Sequence, residues 1–188
     1  MSRANVLVLG GRDATSGSSR SQPLGRAATL GWHLKELHAA ASRHSVRLHF
    51  ADYETLRGRL PCQGDRDATR SGSTAWCQLH DGTDSRERSL SEFGAILTRT
   101  MPAGSLEQIT FRLAVLHDLV RARGNTGATT LINPPSALEL AIDKYATLAR
   151  VQSLGISTPV THVVQSRAAA MQAFDHLGGD VVVKPIFG

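Results

Sequence analysis

The chain has little cysteine, little lysine and no long apolar run, and each shortage excludes a class of protein. Only two of the 188 residues are cysteines, which is too few for the disulfide framework of a small secreted domain. No apolar run approaches the roughly 18 residues that a membrane-spanning helix needs. The apolar segment that follows the first five residues is too short for a secretory signal. These absences predict a soluble, cytoplasmic protein with no membrane partner.

The two cysteines, Cys62 and Cys77, do not make a metal site. Cys77 and His80 are separated by the two-residue gap of some zinc ligands. A closed zinc site needs four ligands, and no second pair with this spacing follows. We therefore interpret both cysteines as incidental thiols in or beside a loop, and we assign no metal ligand in the chain.

Aromatic residues are also scarce, at 5%, whereas the net charge is +5 and the sequence pI is about 9.9. A basic chain is suited to anions, whether a nucleotide, a nucleic acid or an acidic substrate. The arginines between residues 57 and 88 are scattered, with few aromatics between them, so no aromatic and basic platform for nucleic acid is indicated. A nucleic-acid-binding domain remains an alternative that rests on charge alone, and we expect no nucleic-acid partner.

Short apolar segments alternate with helical ones in residues 1–135. A capping box of Ser105 and Gln108 opens one helix, and another is predicted over residues 24–43. Runs typical of buried strands occur at residues 5–10, 46–50, 95–98 and 129–133. This order predicts an α/β fold with a parallel sheet and right-handed crossovers.

Two segments of this first domain have loop composition. Residues 57–92 are rich in Gly, Ser, Asp and Arg, and we interpret them as a loop-rich, partly mobile insertion. Residues 11–22 have the composition of a loop whose backbone amides can approach an anion. They lack the G-x-G-x-x-G spacing of a dinucleotide site, which favours a simple surface connection.

Residues 136–188 are predicted to start a second domain. A capping box of Ser136 and Glu139 opens a helix that is expected to run to Gly155. A strand at 161–164, a helix over 166–177 and a strand at 181–184 are predicted to follow.

Two of the chain's three lysines, Lys144 and Lys184, are predicted to lie on apolar faces. On the wheel of one continuous helix, Lys144 falls between Val151 and Ala137. On an extended strand, Lys184 shares a face with Val182. A buried ammonium needs an anionic partner or must extend to water. Solvated side chains and a ligand phosphate held by both lysines remain the two interpretations.

The same segments resemble a known family. The sequences "MPAGSLEQITFRLAVLHDL" (101–119), "INPPSALELAIDKYATLARVQSLG" (132–155) and "GGDVVVKPIFG" (178–188) are similar to RimK-type α-L-glutamate ligases of the ATP-grasp superfamily. The resemblance covers roughly residues 95–188. Residues 1–94 match only the general plan of the family's N-terminal domain.

The resemblance implies a Rossmann-like pre-ATP-grasp domain over residues 1–135 and an incomplete N-terminal part of an ATP-grasp domain over 136–188. It implies that ATP phosphorylates a carboxylate and that the amino group of an amino acid, expected to be glutamate, attacks the acyl phosphate to form an amide. Lys144 and Lys184 match the two lysines that contact the ATP phosphates in such enzymes, where their role is electrostatic.

In that family the glycine-rich phosphate loop, the Mg²⁺ ligands and much of the acceptor site come later in the sequence. We therefore expect ATP and Mg²⁺ to serve the whole enzyme, no catalytic residue in this chain, and inactivity of a truncated chain alone. A non-catalytic module that binds a nucleotide or a ligase subunit is the main alternative. Apolar faces left exposed in the second domain predict self-association.

Overall fold

The computed structural model describes residues 4–10, 32–60, 74–80, 86–99, 101–126 and 129–187. The chain divides into two compact units, Met1–Pro135 and Ser136–Gly188. Cys62, the predicted anion loop at 11–22 and the first part of the predicted helix at 24–43 lie outside the described residues. Within the described ranges, no helix combines the length and apolarity needed to cross a membrane.

Seven strands and five α-helices are described along the chain. In order they are β1 (Ala4–Gly10), α1 (Trp32–Arg43), β2 (Val46–Asp52), β3 (Arg57–Arg59), β4 (Thr74–Gln78), β5 (Glu87–Ser89), β6 (Ala95–Thr98), α2 (Leu106–Thr126), β7 (Thr130–Ile132), α3 (Pro135–Ile142), α4 (Lys144–Ser153) and α5 (Arg167–His176). Single 3₁₀ turns follow β2 and β5.

A four-stranded sheet with the order β2-β1-β6-β7 is the centre of the first unit, and all of its neighbouring strands are parallel. The four apolar runs of the sequence therefore form the sheet that they predicted, and the α/β prediction is confirmed. One strand flanks the central pair on each side, β2 next to β1 and β7 next to β6, as in a Rossmann-like fold.

The core of this unit consists of strand residues and the inner side of α2. Leu7, Leu9 and Ile96 are fully buried in the central strands, and Leu116 of α2 is fully buried with them. Burial of each such side chain contributes about 1.5–3 kcal/mol relative to exposure. The predicted capping box opens α2, because the Ser105 amide donates to Gln108 Oε1 at 3.0 Å and the Gln108 amide donates to Ser105 Oγ at 3.3 Å.

The described part of the 57–92 insertion is an antiparallel sheet with the order β3-β4-β5. Ala75, Cys77 and Leu79 are buried at every second position, so a period of two is present within a polar composition. Leu79 forms an antiparallel bridge with Ala51 of β2. The described residues of this segment therefore form strands where the sequence predicted a loop.

The second unit departs further from the predictions. Asp143 has an extended backbone (φ −93°, ψ 105°), and its carboxylate accepts a hydrogen bond from the Ala146 amide at 2.9 Å. The predicted continuous helix is thereby divided into α3 and α4. Aspartate favours this arrangement because its side chain replaces a helical acceptor at an N-cap. Ser136 lies inside α3, after Pro135, so the predicted capping box does not start the helix.

The helices α4 and α5 end close to glycine residues, as the sequence predicted. Gly155 and Gly178 have φ of +74° and +83°, and the amides after α4 and α5 bond back into the last helical turn in both cases. The predicted strands at 161–164 and 181–184 do not form, and the described residues of the unit contain no sheet. An extended segment needs a neighbouring strand to form a sheet, and no described residue of the unit pairs with this one. Val182 and Val183 accordingly remain 80% and 90% exposed.

Candidate functional site

Lys144 is the first residue of α4 and follows the Asp143 cap. It is half-buried. Because α3 ends before Asp143, Lys144 does not lie on the apolar stripe of a continuous helix, and that prediction is wrong. Its position is set by the helix start and not by an apolar face.

The start of α4 contacts the segment that carries the second lysine. The backbone amide of Lys144 donates to the carbonyl oxygen of Ile186 at 3.3 Å, and Lys144 Nζ donates to the same oxygen at 3.3 Å. Ile186 is two residues after Lys184, so the backbone near Lys184 passes the first turn of α4. Lys184 itself is exposed and lies on no strand, which corrects its predicted place on an apolar strand face.

The start of α4 carries charges of both signs, the Lys144 ammonium group and the Asp143 carboxylate. The N-terminus of an α-helix carries partial positive charge from its unpaired amides. A lysine at the first helical position adds a full positive charge, which is offset in part by the Asp143 carboxylate. Phosphate and carboxylate groups bind readily at such helix ends. At this helix start the Lys144 amide and Nζ already donate to the Ile186 carbonyl oxygen, and the Ala146 amide donates to the Asp143 carboxylate.

The described residues do not indicate a metal site. The described residues contain no group of three or more histidine, cysteine, aspartate or glutamate side chains that could hold a metal ion. We assign no residue to Mg²⁺. Cys77 is completely buried, and burial, with a smaller effect of the Glu92 charge, raises the pKa of its thiol to about 12. His80, which the sequence places three residues after Cys77, contacts Asp52, with its Nε2 3.0 Å from Asp52 Oδ2.

Polar side chains gather at the carboxyl ends of the parallel strands, where open α/β sheets bind their ligands. Asp52 ends β2 and contacts His80. Thr98 ends β6, and its Oγ1 donates to the Asn133 carbonyl at 2.6 Å. The sequence prediction did not select these residues, although a polar residue directly after an apolar run was a usable signal.

Two of the described arginines of the insertion are paired with carboxylates. Arg57 Nη1 lies 3.0 Å from Glu87 Oε1, and Arg88 Nε donates to Glu92 Oε2 at 2.7 Å. The hydrogen bond from Arg88 is the main reason that the pKa of Glu92 lies below its ordinary value. These pairings reduce the positive charge that a nucleic acid would meet.

Comparison with known proteins gives a partial match to a glutamate ligase. No protein-family model matches the chain. A stretch of 99 residues is 35% identical to the tetrahydromethanopterin:alpha-L-glutamate ligase of Methanosarcina acetivorans, and this stretch is 53% of the chain and 29% of that enzyme. The match spans less than a third of the relative's length. Over about half of its residues, the chain is therefore similar to a glutamate ligase, and the similarity supports the ligase family.

Proposed function

We propose that this chain is part of an ATP-dependent carboxylate–amine ligase, of the RimK type within the ATP-grasp superfamily. In the proposed reaction a carboxylate is activated by phosphoryl transfer from ATP, and the amino group of glutamate then displaces phosphate to form an amide. Residues 1–135 would be the pre-ATP-grasp domain and 136–188 the first part of the ATP-grasp domain. The proposed location is the cytoplasm.

The observation that carries the proposal is the 35% identity to a glutamate ligase over 99 residues. The α/β fold with its parallel sheet is consistent with such an enzyme. The relative is named for tetrahydromethanopterin, but no described residue of this chain identifies the acceptor here. Mg²⁺ belongs to the proposal only as a cofactor of the whole enzyme.

Lys144 and Lys184 are the proposed phosphate-binding residues. Lys144 lies at the helix start of α4, and the Lys184 segment contacts it through Ile186. Two ammonium groups beside a helix N-terminus would stabilise the negative charge of the nucleotide phosphates and of the transferring phosphoryl group. Their contribution is electrostatic, and neither lysine transfers a proton in this scheme.

The full-length protein tests the proposal through release of ADP that depends on glutamate and a carboxylate acceptor. Lys144→Ala and Lys184→Ala are each expected to lower this turnover about 100-fold, the usual effect of removing one charge-stabilising contact. Lys35→Ala is the matched control, because Lys35 is the third lysine and lies exposed on α1. Turnover that stays at the wild-type rate in both site variants would refute the phosphate-binding role.

A non-catalytic binding module is the second candidate function. It is favoured by the exposed apolar side chains of the second unit, among them Val160, Val182 and Val183. Exposed apolar side chains mark interaction sites where they form a contiguous patch. Full-length protein that binds ATP and never releases ADP, with any of several carboxylates, would favour the module over the ligase.

A further inference from the structure

The first unit contains a buried cation that has no carboxylate partner among the described residues. Arg112 of α2 is only 4% exposed. Its Nη1 donates to the Pro102 carbonyl at 2.7 Å, which uses one of the five N–H donors of a guanidinium group. Within the described ranges, no aspartate or glutamate forms an ion pair with it. A buried charge in this state is strongly unfavourable unless an anion or further acceptors are supplied.

A buried hydroxyl in the same unit is also unsatisfied. Tyr53 directly follows β2 and is 1% exposed. Its hydroxyl oxygen is buried and has no hydrogen-bond partner in the described part of the chain. Burial raises the pKa of Tyr53, and the positive charge of Arg112 opposes that rise. The two groups are therefore close enough to interact electrostatically.

Packing of β3 on α2 places the two groups in one region. A Cβ atom on Gly58 would lie 3.6 Å from Val115 Cγ2 and 3.7 Å from Phe111 Cε2. Phe111 and Val115 lie on either side of Arg112 in sequence, so the segment after Tyr53 packs against the turn of α2 that contains Arg112.

The guanidinium group lies beneath the loop that leads into α2. Side chains on a helix lean toward its N-terminus, and Arg112 reaches back ten residues to Pro102. A Cβ atom on Gly104 would lie 3.2 Å from Arg112 Nη1. The first amides of a 21-residue helix are therefore near the same group, and their partial positive charge also favours an anion.

We propose that Arg112 and Tyr53 form a binding site for an oxyanion, either a carboxylate or a phosphate group. The planar guanidinium fork matches two oxygen atoms of such a group, and the tyrosine hydroxyl donates a third hydrogen bond. Because both side chains are enclosed, the ligand is a small anion or the terminal anionic group of a larger molecule. The site lies in the first unit and does not rest on the proposed roles of Lys144 and Lys184.

The test monitors the NMR signal of the Arg112 side chain in the 188-residue chain. The Nε–H signal of Arg112 in a ¹⁵N-labelled sample is assigned by its loss in Arg112→Lys. Inorganic phosphate and glutarate are titrated separately, with sodium chloride at equal ionic strength as the control. We expect a saturable shift with phosphate or with glutarate and none with chloride. The anion that binds more tightly shows whether the anionic group of the ligand is a phosphate or a carboxylate.

Tyr53→Phe supplies the second measurement, because it keeps the ring and removes only the hydroxyl that has no partner. It is expected to fold normally and to weaken anion binding about tenfold, as does loss of one hydrogen bond to a charged group. Tyr145→Phe, at the other tyrosine of the chain and 58% exposed, is expected to bind as the wild type does. An Arg112 signal that neither anion moves, or equal affinity in Tyr53→Phe and wild type, would overturn the proposal.

Discussion

The carbonyl oxygen of Ile186 accepts hydrogen bonds from both the backbone amide and the side-chain ammonium of Lys144. This double contact joins the start of α4 to the segment of the second lysine. It depends on the helix beginning at Lys144, which Asp143 determines by capping the Ala146 amide.

Asp143→Ala is therefore expected to loosen this contact as well as the helix. Loss of an N-cap costs about 1 kcal/mol of folding free energy, and the Lys144 amide should exchange with solvent faster. Ser166→Ala is the matched control, since Ser166 caps α5 through the Ala169 amide at 3.2 Å. Hydrogen exchange followed by NMR should show faster exchange at Lys144 in the first variant only. Equal exchange at Lys144 in both variants would contradict the linkage.

Cys77 is expected to be unreactive in the folded protein. A pKa of about 12 for the buried thiol leaves about one thiolate in 10⁴ molecules at pH 8. In Cys62→Ser, where Cys77 is the sole thiol, reaction with a disulfide reagent should proceed at the rate of unfolding. The same variant in denaturant should react at once. Rapid reaction of the native variant at pH 8 would show that the thiol is accessible.

Stability should depend on pH through Glu92. The Arg88 hydrogen bond lowers the Glu92 pKa in the folded state, so the charged pair stabilises the fold above the unfolded pKa of about 4.3. That contribution disappears as the pH falls through the lower folded value. Arg88→Met should reduce the free energy of unfolding by about 0.2–1 kcal/mol at pH 7, the range of a surface ion pair.

Urea unfolding at pH 7 and at acidic pH measures this change. Arg88→Met, Glu92→Gln and the double variant together isolate the pair from other effects of each substitution. The coupling between the two positions should be present at pH 7 and absent once Glu92 is protonated. A coupling that persists in acid would assign the stabilisation to packing instead.

The exposed valines of the second unit predict concentration-dependent association. Val182→Asp and Val183→Asp should each increase the monomer fraction, because charge interrupts an exposed apolar surface. Gln152→Asp is a suitable control, as Gln152 is already polar and exposed. Light scattering over a range of protein concentrations measures the effect. A wild-type chain that remains monomeric at high concentration would contradict this prediction.

The first unit was largely predictable because its signals are local. Each strand of the parallel sheet is a short apolar run, and the Ser105 and Gln108 side chains define the start of α2 within four residues. The insertion was misinterpreted because its alternation of buried residues, Ala75, Cys77 and Leu79, lies within a strongly polar composition.

The second unit was less predictable because its predicted strands depend on distant neighbours. Residues 161–164 and 181–184 have strand-like composition, yet no described residue pairs with them. The prediction that Lys144 lies on an apolar helix face assumed one continuous helix. It failed because Asp143 divides that segment into α3 and α4. Arg112 interrupts an apolar series of Ile109, Leu113 and Leu116 on α2, so the same search for a charge on an apolar face would have selected it.

The bridge between Leu79 and Ala51 has a consequence for how the parallel sheet can be extended. The His80 amide also donates to the Phe50 carbonyl at 2.8 Å, so the outer edge of β2 is engaged at its carboxyl end. A strand from another molecule cannot pair along the full length of β2 without displacing this contact, and an edge protected in this way resists uncontrolled sheet growth. The insertion therefore also covers part of one edge of the parallel sheet.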